Sequence, residues 1–271
     1  MDRVGIGWRR ELAAGILGNL DRIDVVEVLA ADYPRRELNA LRSLAATVPV
    51  HVHGTDLGLA SSEPADERRL SRMARVVAAI EPEAWSEHLA FVRGGGVEIG
   101  HLAAPPRSAA SIDGAARNLA RARAVVGCDP LVENVATLID PPGSDMDEPA
   151  FIAAALEATG CALLLDLHNL YANATSFNWD PRAMLDAIPP ARIGAVHIGG
   201  GRRLGARVLD DHLHAVPDPV YSLLAEVAAR APGPLTVILE RDGRYPPMPD
   251  LLAELDRARA ALRLGRARRA A

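Results

Sequence analysis

The chain has 271 residues, 49% of them hydrophobic, and a formal net charge of −5. This length and composition suit one large α/β domain with a sizeable core, while the acidic balance argues against a nucleic-acid-binding protein. All 30 basic residues are arginines, which excludes every enzyme mechanism that forms a Schiff base through a lysine.

The location is predicted from three further observations. Cys128 and Cys161 lie in or next to apolar stretches, as is typical of reduced thiols in a core rather than of a disulfide framework. The first residues contain no apolar stretch of the kind found in secretion signals, and no apolar run is long enough to span a membrane. We therefore expect a cytoplasmic protein that acts away from membranes.

Short apolar segments rich in β-branched residues alternate with segments of helical composition. The predicted strands span residues 4–8, 25–29, 48–54, 84–91, 130–135, 161–169, 193–200 and 235–242. The predicted helices include residues 37–46, 64–80, 109–126, 148–159, 181–188, 217–230 and 249–264. This alternation predicts a single-domain α/β fold, a (β/α)8 TIM-type barrel over residues 1–264, and the basic segment 265–271 is predicted to be a disordered tail.

Polar side chains gather at the ends of the predicted strands, where such barrels place their active sites. They are Glu27, His51, His53, Glu87, His88, Glu133, Asn134, Asp166, His168, Asn169, His197 and Glu240, with Asp210, Asp211, His212 and His214 following the seventh strand. On a strand, Asp166 and His168 would share one face because they are two residues apart. Burying so many acids and imidazoles together is costly unless cations pair with them, so we expect two or three metal ions.

Nitrogen and oxygen ligands without a thiolate favour iron, manganese or zinc. The strongest candidate ligands are His53, His88, Glu133, Asp166, His197, Asp210, His212 and Glu240. Other residues have simpler interpretations that stay open: His51 and His214 as hydrogen-bonded core histidines, Glu27 as a buried anchor, and Asn134 and Asn169 as supporting groups. Arg202, which follows a run of glycines, is either a substrate contact or part of a solvated loop, and residues 93–102 form either a hairpin or a mobile flap.

Several strings now identify a family. They are GIGWR (5–9), EVLAADY (27–33), HGTDL (53–57), SEHLA (86–90), LVENV (131–135), LLLDLHNLYANA (163–174), VHIGGG (196–201), LDDH (209–212) and LERD (239–242). In this order, and from residue 5 to about residue 255, they resemble the multinuclear non-heme iron-dependent oxidases of the methanobactin-biosynthesis and thiaglutamate-pathway type.

The resemblance implies a TIM-type barrel that holds two or three irons of mixed Fe(II)/Fe(III) state and uses O2. It implies oxidation of a residue, often cysteine, in a ribosomally synthesised precursor peptide in natural-product biosynthesis, with a separate peptide-recognition protein as partner. The implied metal ligands are His53, His88, Glu133, Asp166, His197, Asp210, His212 and Glu240, with His168 as a possible further ligand. We assign catalytic roles to His88, Asp166 and Glu240, and supporting or substrate-contacting roles to Glu27, Asn134, Asn169, Arg202 and Asp242.

Two alternatives remain at this stage. The first is a metal-dependent isomerase or hydrolase of the xylose isomerase and endonuclease IV type, since those barrels also gather histidines and acids at strand ends. The second is a metal-binding accessory protein without turnover. Dioxygen-dependent turnover would distinguish the oxidase from both.

Overall fold

The computed structural model describes residues 1–270. Within them the strands are β1 (Arg3–Gly7), β2 (Val26–Leu29), β3 (Val50–Gly54), β4 (Ala84–His88), β5 (Phe91–Gly94), β6 (Val97–Ala103), β7 (Leu131–Glu133), β8 (Ala162–Asp166), β9 (Ile193–Ile198), β10 (Gly201–Leu204), β11 (Arg207–Asp210) and β12 (Thr236–Leu239). The α-helices are α1 (Ala13–Leu17), α2 (Leu38–Ala45), α3 (Glu67–Ile80), α4 (Ala109–Val126), α5 (Glu148–Thr159), α6 (Leu167–Phe177), α7 (Arg182–Ala187), α8 (Asp218–Arg230) and α9 (Met248–Ala270).

A closed parallel barrel forms the centre of the molecule. Its strands lie in the order β1-β12-β9-β8-β7-β4-β3-β2, and the helices that connect them pack outside. Strands of such a barrel are buried on both faces, which is why they appear in the sequence as continuous apolar runs. The prediction of a (β/α)8 TIM-type barrel is confirmed.

Local signals set the ends of several outer helices. Asp66, Ser108 and Asp147 precede α3, α4 and α5, and each side chain accepts a hydrogen bond from a backbone N–H of the first turn. The helices α4 and α5 end at Gly127 and Gly160, whose φ angles of 92° and 74° favour glycine. None of the described helices combines the length and the apolar composition needed to cross a bilayer.

Two antiparallel hairpins extend the barrel beyond β4 and β9. Residues 93–102 lie in the first hairpin, β5 paired with β6. The second, β10 paired with β11, is absent from the predicted strands. Both hairpins begin within three residues of a strand's carboxyl end, so they stand beside the rim where the candidate ligands lie.

Several predicted boundaries were wrong, among them the ends of the strands predicted over residues 84–91 and 235–242, which stop at His88 and Leu239. The sixth barrel strand ends at Asp166, and residues 167–169 begin α6, because the Asp166 carboxylate caps this helix by accepting a hydrogen bond from Asn169 N–H. Asp166 and His168 therefore do not share a strand face. The predicted disordered tail is also wrong over residues 265–270: α9 continues through them, and the Arg266 guanidinium donates to Asp2, Ala228 O, Ala231 O and Gly233 O. Ala271 lies outside the described residues.

Candidate metal centre

The carboxyl ends of the barrel strands bring polar side chains together in one buried region. His88, Glu133 and Asp166 are the last residues of β4, β7 and β8, and His197 is the last but one of β9. The parallel register places His88 beside Glu133 and Asp166 beside His197. Of these four, His88 is the most exposed, at 9%. The barrel itself therefore positions the centre.

Three groups of side chains have the spacing of metal ligands. We call them the His53 group (His53, His88, Glu133), the His197 group (Glu133, Asp166, His197, Glu240) and the His168 group (His168, Asp210, His212). Within each group the donor atoms lie within 4.8 Å of one another. The structure thus brings together all nine residues predicted as ligands, and their role as ligands stays a prediction.

Shared carboxylates connect the three groups. Glu133 Oε2 lies 3.4 Å from His53 Nε2 and 3.3 Å from His88 Nε2, while Glu133 Oε1 lies 3.3 Å from His197 Nδ1. Glu240 Oε2 lies 3.1 Å from His197 Nδ1 and 3.6 Å from His212 Nε2. Each oxygen of Glu133 faces a different group, so this carboxylate links the His53 and His197 groups and would contribute to holding an ion in either of them.

Hydrogen bonds orient four of the histidines. In each ring one nitrogen contacts a protein group and the other faces the centre, which is how metal-binding histidines are held. The outer partners are Ser86 Oγ for His53 (2.7 Å), Gly54 O for His88 (3.1 Å), Glu27 Oε2 for His197 (3.0 Å) and Asp242 Oδ2 for His212 (3.1 Å). Glu27 and Asp242 therefore contact the outer nitrogens of two of these rings, and their supporting roles stay a prediction.

Several donor atoms at the centre have no hydrogen-bond partner among the described residues. Asp166 Oδ2 and His168 Nε2 have none, while Glu133 Oε2, His197 Nδ1 and His212 Nε2 lie near oppositely charged groups without the alignment of a hydrogen bond. Buried polar atoms are rarely left unpaired, because desolvation then costs about 1–3 kcal/mol for each. Bound cations would pair these atoms, so the residues present fit a multinuclear metal centre.

The electrostatics also favour cations. Burial lowers the pKa of His88, but the carboxylates of Glu133 and Glu87 outweigh burial and raise that pKa to about 9. Burial and the charges of Asp210 and Glu133 raise the pKa of Asp166 well above its usual value. The protein groups alone thus hold extra protons on the centre, and metal ions would replace that positive charge.

The chemistry of the donors restricts the metal. All nine candidate ligands offer imidazole nitrogen or carboxylate oxygen. Cys161 immediately precedes β8, at the opposite end of that strand from Asp166, and Cys128 is exposed. Nitrogen and oxygen donors of this kind suit iron, manganese or zinc in a reactive centre.

The two predicted asparagines support the end of β8. Asn134 accepts a hydrogen bond from Asp166 N–H at 2.9 Å and donates to Asp166 O at 3.0 Å. Asn169 donates through Nδ2 to Asn134 O at 3.0 Å. Arg202, by contrast, is exposed, and its Nε lies 3.8 Å from Asp211 Oδ2. Its predicted role in substrate contact stays a prediction.

His51 and His214 are outside the three groups. His51 Nε2 lies 3.7 Å from Glu83 Oε2, next to the start of β4 and so away from the carboxyl ends. His214 Nδ1 lies 2.9 Å from Asp211 Oδ1. Both positions agree with the simpler interpretation of these histidines.

Two residues without an assigned role from sequence also support the centre. Glu87 is fully buried and its carboxylate accepts hydrogen bonds from the backbone N–H groups of Asp56, Leu57 and His88. Arg9 donates through Nε to Asp242 Oδ1 at 2.9 Å and so holds the carboxylate that orients His212. Glu87 could have been found from the sequence, because it is next to the candidate ligand His88. The Arg9–Asp242 pair could not, because it depends on the closure of β1 against β12.

Comparison with known proteins provides an independent result. The family model described as "RiPP precursor modification enzyme MbnB/TglH/ChrH", where RiPP denotes a ribosomally synthesised and post-translationally modified peptide, matches residues 3–263. A UPF0276 protein of Streptomyces avermitilis is 38% identical over 267 residues, which is 95% of this chain and 54% of that protein. One from Anaeromyxobacter sp. (strain Fw109-5) is 32% identical over 257 residues, covering 94% of this chain and 90% of that one. The chain thus spans about half the length of the first relative and nearly all of the second.

Solved structures show the same fold at low sequence identity. An L-ribulose 3-epimerase has a TM-score of 0.62 at 18% identity, covering 98% of this chain and 96% of that one. Endonuclease IV from Thermus thermophilus has a TM-score of 0.61 at 19% identity, with coverages of 96% and 99%. At this identity the likeness concerns the barrel alone.

Proposed function

The chain belongs to the family of RiPP precursor modification enzymes MbnB/TglH/ChrH, and on this premise we propose that it is a multinuclear, iron-dependent oxidase. Its proposed reaction uses O2 to modify a cysteine of a ribosomally synthesised precursor peptide. Membership of the family supports the modification of a precursor peptide. The iron, the dioxygen and the cysteine are our proposal.

The observation that carries this proposal is the shared Glu133. Its two oxygens face the imidazoles of His53 and His88 on one side and of His197 on the other. A carboxylate between two histidine groups is a suitable bridge for two neighbouring ions, and the adjacent His168 group offers donors for a third. A single-ion site would leave several of these buried donors unpaired.

Each residue has a distinct part in the proposed centre. The nine clustered residues would hold two to three irons in mixed Fe(II)/Fe(III) states, which supply one-electron redox chemistry with dioxygen when bound. His88, Asp166 and Glu240 are proposed as the catalytic ligands. Glu27 and Asp242 hold the histidine rings, and Asn134 and Asn169 fix the end of β8.

The proposed partner is a separate peptide-recognition protein, following the family resemblance. The proposed location is the cytoplasm, where a ribosomal precursor peptide is made. With a formal charge of −5, the chain has no overall basic field that would attract nucleic acid.

A metal-dependent isomerase or hydrolase is the alternative function. The barrel fold alone does not distinguish it from an oxidase. Dioxygen uptake distinguishes them. The chain is loaded anaerobically with Fe(II), mixed with a cysteine-containing hexapeptide and exposed to O2, while uptake and peptide mass are followed. We expect a mass change of the cysteine peptide and an uptake of O2 beyond that of the iron-loaded chain alone, and neither with zinc or with the serine form of the peptide. A zinc-loaded chain that acts on its substrate without O2 would contradict the proposal.

A further inference from the structure

A cavity of about 420 Å³ opens beside the candidate metal centre. It shares His88, Asn169 and Asp210 with that centre. Any substrate group bound at the centre would therefore have this cavity next to it. A volume of this size is within the range of cavities that bind small molecules or large side chains.

Apart from these shared residues and the polar His101 and Thr137, the cavity is lined by apolar side chains from three segments. Representative members are Phe91 and Leu102 of the β5–β6 hairpin, Val135, Leu138 and Ile139 after β7, and Leu209 of β11. Leu138 and Ile139 are 39% and 65% exposed, so part of this apolar lining is open to solvent. An apolar surface of this kind binds apolar groups and disfavours charged ones.

The wall formed after β7 is fixed to the helix that carries part of the centre. Asn173 of α6 donates through Nδ2 to Val135 O at 2.9 Å and accepts through Oδ1 from Thr137 N–H at 2.8 Å. His168 and Asn169 lie on the same helix. The cavity wall and the centre are therefore held in one rigid arrangement, as a preformed binding site requires.

A single amide marks the boundary between the cavity and the centre. Asn169 is 4% exposed, and its Nδ2 donates to Asn134 O, which sets the orientation of the amide. Its Oδ1 has no hydrogen-bond partner among the described residues. A buried acceptor without a partner, in a residue that lines the cavity, calls for an N–H donor from a ligand.

We propose that the cavity binds an uncharged aliphatic or aromatic side chain that directly neighbours the reactive residue of a peptide substrate, and that Asn169 Oδ1 accepts a hydrogen bond from a peptide N–H. The inference rests on the proposed function for the reactive residue. It adds a specificity: peptides with an apolar neighbour bind, and those with a charged neighbour do not. The continuity of the cavity with the centre and its apolar lining point to this occupant.

Two series of blocked hexapeptides test this specificity: Ac-Gly-Ala-Xaa-Cys-Ala-Gly-amide and Ac-Gly-Ala-Cys-Xaa-Ala-Gly-amide. Xaa is Leu, Phe, Asn, Asp or Lys, and binding is measured by calorimetry under argon, with the full chain carrying the metal with which it is purified. In at least one series we expect Leu or Phe peptides to bind about tenfold or more tighter than Asp or Lys peptides, since burial of such a side chain is worth that factor. Equal affinities, or no measurable binding in either series, would overturn the inference.

Variants locate the specificity. Leu138→Asp should reduce the preference for Leu over Lys to less than about threefold, and Leu138→Asn serves if the charged variant folds poorly. Leu17→Asp is the matched control, because Leu17 is 49% exposed on α1 and does not line the cavity. It should keep the wild-type order of affinities. A Leu138→Asp chain with unchanged preference would place the apolar site elsewhere and refute the assignment.

Serine versions of both series separate this inference from the proposed function. Equal binding of serine and cysteine peptides, with the apolar preference intact, would contradict the proposed cysteine target and leave the apolar site standing. Tighter binding of cysteine peptides than of serine peptides, without any effect of Xaa, would support the proposed cysteine target and contradict the apolar site.

Discussion

Replacing Asp166 by asparagine separates metal binding from folding. Asp166 is fully buried at the end of β8, and its Oδ1 accepts a 2.6 Å hydrogen bond from Asn169 N–H. Asparagine caps helices about as well as aspartate, so Asp166→Asn keeps this bond. The substitution removes the charge of the carboxylate, whose Oδ2 has no hydrogen-bond partner among the described residues.

The effect on the metal-free protein follows from the spacing of the charges. Donor atoms of Asp166, Glu133, His197 and Glu240 lie within 4.8 Å of one another. At an effective dielectric constant of about 20, the repulsion of an ionised Asp166 by Glu133 and by Glu240 costs about 3 kcal/mol for each pair. The attraction of Asp166 to a protonated His197 offsets one of these two pairs. Protonating Asp166 instead, from its ordinary pKa of 3.8, costs at most about 4 kcal/mol at pH 7. We therefore expect Asp166→Asn to stabilise the metal-free chain by about 3–4 kcal/mol at pH 7.

The sign of the pH dependence is fixed by the direction of the shift. Burial and the charges of Asp210 and Glu133 raise the pKa of Asp166 in the folded chain. Such an acid contributes stability that is fully present below pH 3.8 and is lost as the pH rises towards the folded-state pKa. The advantage of Asp166→Asn should therefore be small at pH 4.5 and increase towards pH 7.

Urea denaturation with EDTA at pH 4.5, 6 and 7, repeated anaerobically with saturating Fe(II) at pH 7, measures both effects. With iron bound, the wild-type chain should be more stable than Asp166→Asn, because it keeps the full ligand set and ligand binding stabilises the folded state. Asp145→Asn, at an exposed position, is the matched control and should show neither effect. A variant that is less stable than the wild type without metal, or more stable with it, would refute the reasoning.

Three further substitutions test the surroundings of the centre. Asp242→Asn should weaken metal binding by about 10- to 100-fold in chelator competition, because Asp242 holds the His212 ring; unchanged affinity would deny it that role. Glu87→Gln should cost about 1–3 kcal/mol of unfolding free energy in urea, since three backbone N–H groups donate to this buried carboxylate; no loss would contradict that account. Burial, opposed by the Asn173 hydrogen bond, raises the pKa of Glu148 from 4.5 to about 7. The wild type therefore loses stability as the pH rises from 4.5 to 8, and the unfolding free energy of Glu148→Gln should rise relative to it by up to about 3 kcal/mol over this range. A difference in unfolding free energy that does not depend on pH would refute the burial of this charge.

Much of the barrel was predictable because its strands are buried on both faces and appear as apolar runs. The end of β8 was not, since Leu167 continues the apolar run and only the cap formed by Asp166 shows that a helix has begun. The β10–β11 hairpin was also missed. Its strands have four residues each, and most of their side chains are exposed or half-buried, so they lack an apolar signal.

The candidate centre was predictable because carboxyl ends of parallel strands meet at one rim of a barrel. His168 reached this rim for a different reason than expected, from the first turn of α6 rather than from a strand. The pair of Arg9 and Asp242 depends on barrel closure between residues 233 positions apart, which no local pattern shows. The apolar cavity likewise arises only when the two hairpins and the segment after β7 come together.

The most direct test of the central claim is the metal content of the chain, purified from iron-supplemented cells and measured by elemental analysis together with Mössbauer and EPR spectroscopy. We expect two to three irons per chain, with a ferric iron magnetically coupled to a ferrous one. Stoichiometric zinc or manganese, with no tightly held iron even after anaerobic reconstitution, would contradict it and favour a metal-dependent isomerase or hydrolase.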